Sequence, residues 1–227
     1  MSVTSATLAV SLPRAATTPE SVARILLQRA QGFLQKWPEG FRGYRARVRC
    51  EASGAVAEGA VLVASGREPL IDLEPPAIRA RVRARLIELA EERTPRFFKD
   101  GDGQFAVYPE PDLEGQGWIR VERPGCATRY RLDPRGRIGA IERTEDERRS
   151  LTVIDEYARA TPGRVLPASR RIDARDIRTG ACLGRQRLIE SHCRVDHVWL
   201  PASWVVIAEC ESESPALSVE LFAHQLL

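Results

Sequence analysis

Lysine is almost absent from this chain. Of 34 basic residues only Lys36 and Lys99 are lysines, and the rest are arginines. GC-rich coding sequence produces such a bias without any functional cause. With 31 acidic residues against those 34, the formal charge is only +3, too small an excess to favour nucleic acid as a partner. Arginine's planar fork still makes any local cluster a good anion site. Three histidines, His192, His197 and His224, are all there is for imidazole chemistry. The five cysteines (Cys50, Cys126, Cys182, Cys193 and Cys210) are odd in number, scattered and without a C-x-x-C pair. That usage fits free, packed thiols in a reducing compartment.

Longer signals are missing as well. No run approaches the roughly 20 apolar residues of a transmembrane helix. The opening MSVTSATLAVSLPRAA lacks a positive n-region and is broken by Ser and Thr, unlike a secretory signal. A soluble, cytoplasmic protein is expected. No nucleophile elbow, P-loop, dinucleotide fingerprint or zincin helix occurs. His192-Cys193-x-x-Asp196-His197 is the most metal-like cluster, but neighbours on an extended strand point to opposite faces, which divides a ligand set. Asp100-x-Asp102-Gly103, with Glu110, Asp112 and Glu114 after it, begins like a calcium loop and lacks the later ligands. Glu142, Glu145, Asp146 and Glu147 alternate with Arg143, Arg148 and Arg149, the pattern of a solvated turn. No metal, no cofactor and no catalytic centre are expected.

What the chain does have is 43% hydrophobic content over 227 residues, enough for a substantial core. Its organising stretch is Pro75 to Arg93. Ile78, Val82, Leu86 and Leu89 recur at i, i+4, i+8 and i+11 and form one apolar stripe that needs a partner surface. Pro75 and Pro76 suit a first helical turn, and Thr94-Pro95 ends the helix. Its charges oppose the helix dipole: Arg79, Arg81, Arg83 and Arg85 crowd the N-terminal half, and Glu88, Glu91 and Glu92 the other end. Salt bridges to strand carboxylates such as Asp72 or Glu74 would offset that, as would an anionic ligand.

Residues 1–16 carry no amphipathic period and are expected to be a disordered tail; residues 17–227 are expected to form one domain. Thr17-x-x-Glu20 reads as a helix start, and the helix after it places Val22, Ile25, Leu26, Phe33, Leu34 and Trp37 along one docking side. From Tyr44 the period changes to two. Tyr44, Ala46, Val48, Cys50 and Ala52 face one way, and Arg45, Arg47, Arg49 and Glu51 the other. Ser53-Gly54 turns into a second strand, and a third, Glu68 to Leu73, leads into the Pro75 helix. After Thr94, strands and turns run to the end, about a dozen strands in all. Among them is Trp199 to Cys210, whose two apolar faces predict cover on both sides. The fold class is mainly β: a strongly curved, half-closed antiparallel sheet, an unclosed barrel, with two helices over its concave face.

A docked first helix, Phe41-x-Gly43-Tyr44-Arg45-Ala46-x-Val48, the Gly59-x-x-x-Val63 hairpin, the mid-chain helix and Trp199-Leu200-Pro201 resemble the uncharacterised family called domain of unknown function 3386, from about Pro19 onward. More distantly the layout resembles the LolA/LolB-type lipoprotein-carrier fold, which implies an apolar cavity able to shield acyl chains. The expected function is non-enzymatic binding of a hydrophobic or amphipathic small molecule, anionic lipid-like molecules included, between sheet and helices. Arg79, Arg81, Arg83, Arg85, Ile78, Val82, Leu86 and Trp204 are the candidate ligand-binding residues, with peripheral contact to an anionic membrane surface as a further expectation. The alternative is a protein-interaction scaffold whose concavity is filled by its own side chains.

Overall fold

The structure, a computed structural model, describes residues 18–111, 117–209 and 216–227. The expected tail, Asp112, Glu114 and Cys210 lie outside the described residues. In chain order the elements are α1 (Pro19–Gly32), β1 (Gly43–Ala52), β2 (Ala55–Ala64), β3 (Leu70–Asp72) and α2 (Pro76–Arg93). Then come β4 (Ala106–Glu110), β5 (Trp118–Arg123), β6 (Cys126–Leu132), β7 (Ile138–Glu145) and β8 (Arg148–Arg159). The last four are β9 (Val165–Asp176), β10 (Cys182–Val195), β11 (Val198–Ala208) and β12 (Leu217–Leu226).

The twelve strands of the described residues form one antiparallel sheet in the order β3-β2-β1-β12-β11-β10-β9-β8-β7-β6-β5-β4. It does not close into a barrel. β1 pairs with β12, so the first hairpin is stitched to the end of the chain, and β3 and β4 are left as the two edges. The segment between those edges is α2, which the topology obliges to travel from one to the other. This is why a single helix can organise the whole sheet.

β1 keeps its alternation, burying Tyr44, Ala46, Val48, Cys50 and Ala52 and exposing its arginines. Ser53 and Gly54, both at positive φ, make the two-residue turn to β2. Gly59 on β2 is required by close approach: a Cβ there would lie 1.9 Å from the carbonyl oxygen of Asp72 on β3. The stripe Ile78, Val82, Leu86 and Leu89 is buried against the inner residues of β1, β2 and β10–β12, forming the larger core. A second core joins Ala23, Leu27 and Ala30 of α1 to Val107, Ile119, Val121, Tyr130 and Ile138.

Four local expectations are corrected. The first helix is capped by Thr18, whose hydroxyl accepts from the Ser21 N–H at 3.2 Å. It docks through the small residues Ala23 and Ala30 with Leu27, because a helix close to a sheet fits small side chains best; Val22, Ile25 and Leu26 remain exposed. The stretch directly after Thr94, expected to start the run of strands, instead enters two short 3-10 turns, Phe98–Asp100 and Asp102–Gln104. β11 has one covered face only: Trp204 is buried, whereas Ile207 on the other side is exposed, since both helices lie on the same face of the sheet.

Candidate functional site

Next to its buried stripe α2 presents Arg81, Ala84, Arg85 and Glu88. These form one wall of a groove of about 320 Å³. The facing wall is Ile172 of β9, Gln186 and Leu188 of β10, Trp204, Val206 and Ala208 of β11, and Leu217 of β12. Strand alternation puts these residues here: Leu188 opposes Val206, Glu190 opposes Trp204, and Trp204 opposes Val219, all on the inner face. The floor is therefore apolar apart from Gln186, and the helix wall is charged apart from Ala84. The indole N–H of Trp204 is buried and has no hydrogen-bond partner.

Of the eight residues chosen from sequence, the structure brings Arg81, Arg85 and Trp204 together along this groove. Ile78, Val82 and Leu86 lie in the core beside it. Arg79 and Arg83 turn to the far side, 3.5 Å from Glu74 and 4.0 Å from Glu68 respectively, as surface pairs. The charges set against the helix dipole are thus compensated largely within the protein.

Arg85 shows this most fully. Its guanidinium donates to Glu190 Oε1 at 2.5 Å and to Glu88 at 2.8 Å, and lies 3.6 Å from Glu92. Arg170 of β9 donates to Glu190 Oε2 at 2.6 Å and clasps Glu92 with bonds of 2.8 and 3.0 Å. Arg85, Arg170, Glu92 and Glu190 form a closed quartet of zero net charge. It pins α2 to β9 and β10. Burial pushes both carboxylates up, but Arg170 and Arg85 outweigh it, holding Glu190 below its ordinary range and Glu92 at about 2. For Arg170 burial works against the charge, and the two glutamates more than restore it. The sequence reading missed Arg170, Glu92 and Glu190 as partners, since nothing local links positions on three separate elements.

The C-terminal end of α2 is tied down separately. Arg93 donates to the carbonyl of Trp199 at 2.9 Å, and Trp37 donates through its indole to the same oxygen at 3.2 Å. Burial pushes Arg93 down to about 10. Asp102, read from sequence as part of an incomplete calcium loop, is a buried anchor. It accepts from Gln31 of α1, Arg123 of β5 and, at 2.8 Å, the hydroxyl of Tyr130 on β6. Among the described residues no group of three or more His, Cys, Asp or Glu is placed to hold a metal ion. A second hollow, about 360 Å³ at the β5–β6 turn, is lined by Arg120 and Arg123. These are already paired with Glu122 and Asp102.

An open antiparallel sheet with two helices on its inner face and a groove beneath one of them makes an unclosed half-barrel. The chain belongs to the family described as protein of unknown function DUF3386, which it matches over residues 18–227. No curated protein matches it. Among solved structures it is similar to a LolA superfamily protein of Nitrosomonas europaea, at 12% identity and TM-score 0.40, covering 90% of this chain and 93% of that one. A putative outer membrane lipoprotein-sorting protein domain from Vibrio parahaemolyticus is similar at 12% identity and TM-score 0.37, covering 91% and 93%. A DUF1329 family protein from Desulfovibrio piger follows at 10% identity and TM-score 0.34, covering 92% and 93%. Likenesses this remote leave the chemistry to the groove's own residues.

Proposed function

We propose that this protein binds a small amphipathic molecule in the groove under α2 and performs no chemistry on it. The observation that carries this reading is the groove's division into an apolar floor (Leu188, Trp204, Val206, Leu217) and a charged wall (Arg81, Arg85, Glu88). At about 320 Å³ it lies at the small end of ligand pockets, roughly 300–1,000 Å³. Because Arg85 is already bracketed by Glu88, Glu92 and Glu190, a neutral or zwitterionic polar group suits the wall better than a bare anion.

Calorimetric titration with dodecylphosphocholine and with dodecanoate, each below its micelle concentration, tests the proposal. Ala84 is exposed on the helix wall, so Ala84→Phe fills the groove without entering the core. The unmodified protein is expected to bind, the zwitterion more tightly than the carboxylate, and Ala84→Phe to lose binding at an unchanged melting temperature. Absence of binding, or equal binding by the filled variant, overturns the proposal and leaves the packed interaction scaffold as the reading to pursue.

A further inference from the structure

Register shifts occur in several strand pairings of the sheet, and two of them bring a thiol and an imidazole together. Between β10 and β11 the register shifts after Ser191, because Ser203 pairs with Ser191 and Pro201 with His192, leaving Ala202 over. Between β1 and β12 it shifts again: Phe222 pairs with Arg47 and Gln225 with Arg45, so Ala223 and His224 together oppose Ala46. Ala223 sits at φ 53, a backbone conformation that L side chains rarely adopt. Bulges re-aim side chains, and strained backbone gathers where geometry has a use.

Here the re-aimed groups are a thiol and an imidazole. Cys193 Sγ lies 3.8 Å from His224 Nδ1, and His224 Nε2 lies 2.9 Å from the carbonyl oxygen of Pro201. A carbonyl only accepts, so the ring proton sits on Nε2 and the Nδ1 lone pair faces the thiol. The Tyr44 ring packs against the imidazole at 5.7 Å between centroids, fixing its plane. Both members of the pair are half-buried, with Cys193 packed in part against the larger core. Cys193 is five residues along β10 from Leu188, about 17 Å at strand rise, and belongs to neither wall of the groove.

We propose that Cys193 and His224 form a nucleophilic pair that accepts the acyl group of an activated ester or thioester. Burial raises the thiol and lowers the imidazole, so both are neutral at rest. The proton therefore has to move as sulfur attacks, which is general-base catalysis. The Sγ–H proton passes to Nδ1 while the Sγ–carbon bond forms at the carbonyl. The bond from that carbon to the leaving oxygen or sulfur then breaks, and the imidazolium returns its proton to the departing group. No oxidant or reductant is consumed. Other titratable or charged groups at the pair are Tyr44 of β1, raised by burial, and Arg93 of α2 acting on Tyr44.

The test is to incubate the folded protein with S-octanoyl-N-acetylcysteamine and follow acylation by intact mass and peptide mapping. One octanoyl group on Cys193, removable by hydroxylamine and absent in Cys193→Ser, is expected. Its rate should rise with pH to a half-maximum below the ordinary imidazole value of about 6.5 and stay level through neutrality. His224→Gln should slow it by at least ~10²-fold. Acylation that rises only above the ordinary thiol value of about 8.5 overturns the proposal; this profile needs no variant to fold. Labelling of exposed Cys182 as fast as Cys193 overturns it equally.

Discussion

Replacing Glu190 by Gln should be among the most damaging conservative changes in this protein. Glu190 is 8% exposed and each of its oxygens holds a different guanidinium. Gln keeps the shape and removes the charge, leaving Arg170 with Glu92 alone and Arg85 with Glu88 and Glu92. Removing one partner from a buried ion pair costs about 3–5 kcal/mol. At about 2–4 °C per kcal/mol for a chain of this size, the melting temperature should fall by about 6–20 °C. The pH dependence has a definite sign. Glu190 and Glu92 are held below their unfolded values, so their stabilisation is complete above about pH 4.3 and lost as pH falls towards the Glu92 value of about 2. Glu92 is 37% exposed at the rim, where solvent screens it, so the buried Glu190 carries the larger share. Denaturant melts at pH 7, 4 and 2.5 should show the gap between parent and variant closing across that window. The double change Arg170→Met with Glu190→Leu orphans no charge, since Arg85 keeps Glu88 and Glu92, and should cost less than Glu190→Gln alone. A loss under about 1 kcal/mol for Glu190→Gln, or a double variant that is simply additive, would refute the reasoning.

Leu86→Ala, at a position only 1% exposed, should cost about 2–5 kcal/mol, whereas Ile25→Gln on the open side of α1 should stay within about 0.5 kcal/mol; urea melts of both decide whether the two helices are assigned their correct faces. Gly59→Ala drives a methyl into the Asp72 carbonyl and should cost about 1–3 kcal/mol, seen as faster amide exchange at Ile71 than at Val48. Cys50 is fully buried, and burial pushes its thiol up to about 11. It should resist iodoacetamide at pH 8 until denaturant is added, and labelling in the native state would show that β1 opens.

The strands were legible because a one-face sheet writes its period into each segment. Tyr44 to Ala52 alternates in sequence and in burial alike. The α2 stripe was legible for the same reason. The docking side of α1 was not, since Val22, Ile25 and Leu26 outweigh Ala23 and Ala30 in any hydrophobic pattern while the contact demanded small residues. Arg81, Arg85 and Trp204 were named from sequence and share the groove, but their neighbours Leu188 and Val206 were not singled out. The partners of Arg85 could not be found that way. Glu190 is 105 residues distant, and register between non-adjacent strands leaves no local mark. His224 and Cys193 are hidden further still, because bulges break the alternation by which their facing would be inferred.

An unclosed sheet must also protect its two ends from further strand addition. A free edge presents unpaired N–H and C=O groups that can template another chain, which is how sheet proteins come to fibrillise. Here β3 offers only three residues, Leu70–Asp72, and β4 offers five with Pro109 among them, a residue that has no N–H to give. Short rims of this kind allow the half-barrel to stay open without serving as a seed. Lengthening β3, or restoring a donor with Pro109→Val, would trade that safety for a continuous ladder. Thioflavin fluorescence during prolonged agitation is where the difference would show first.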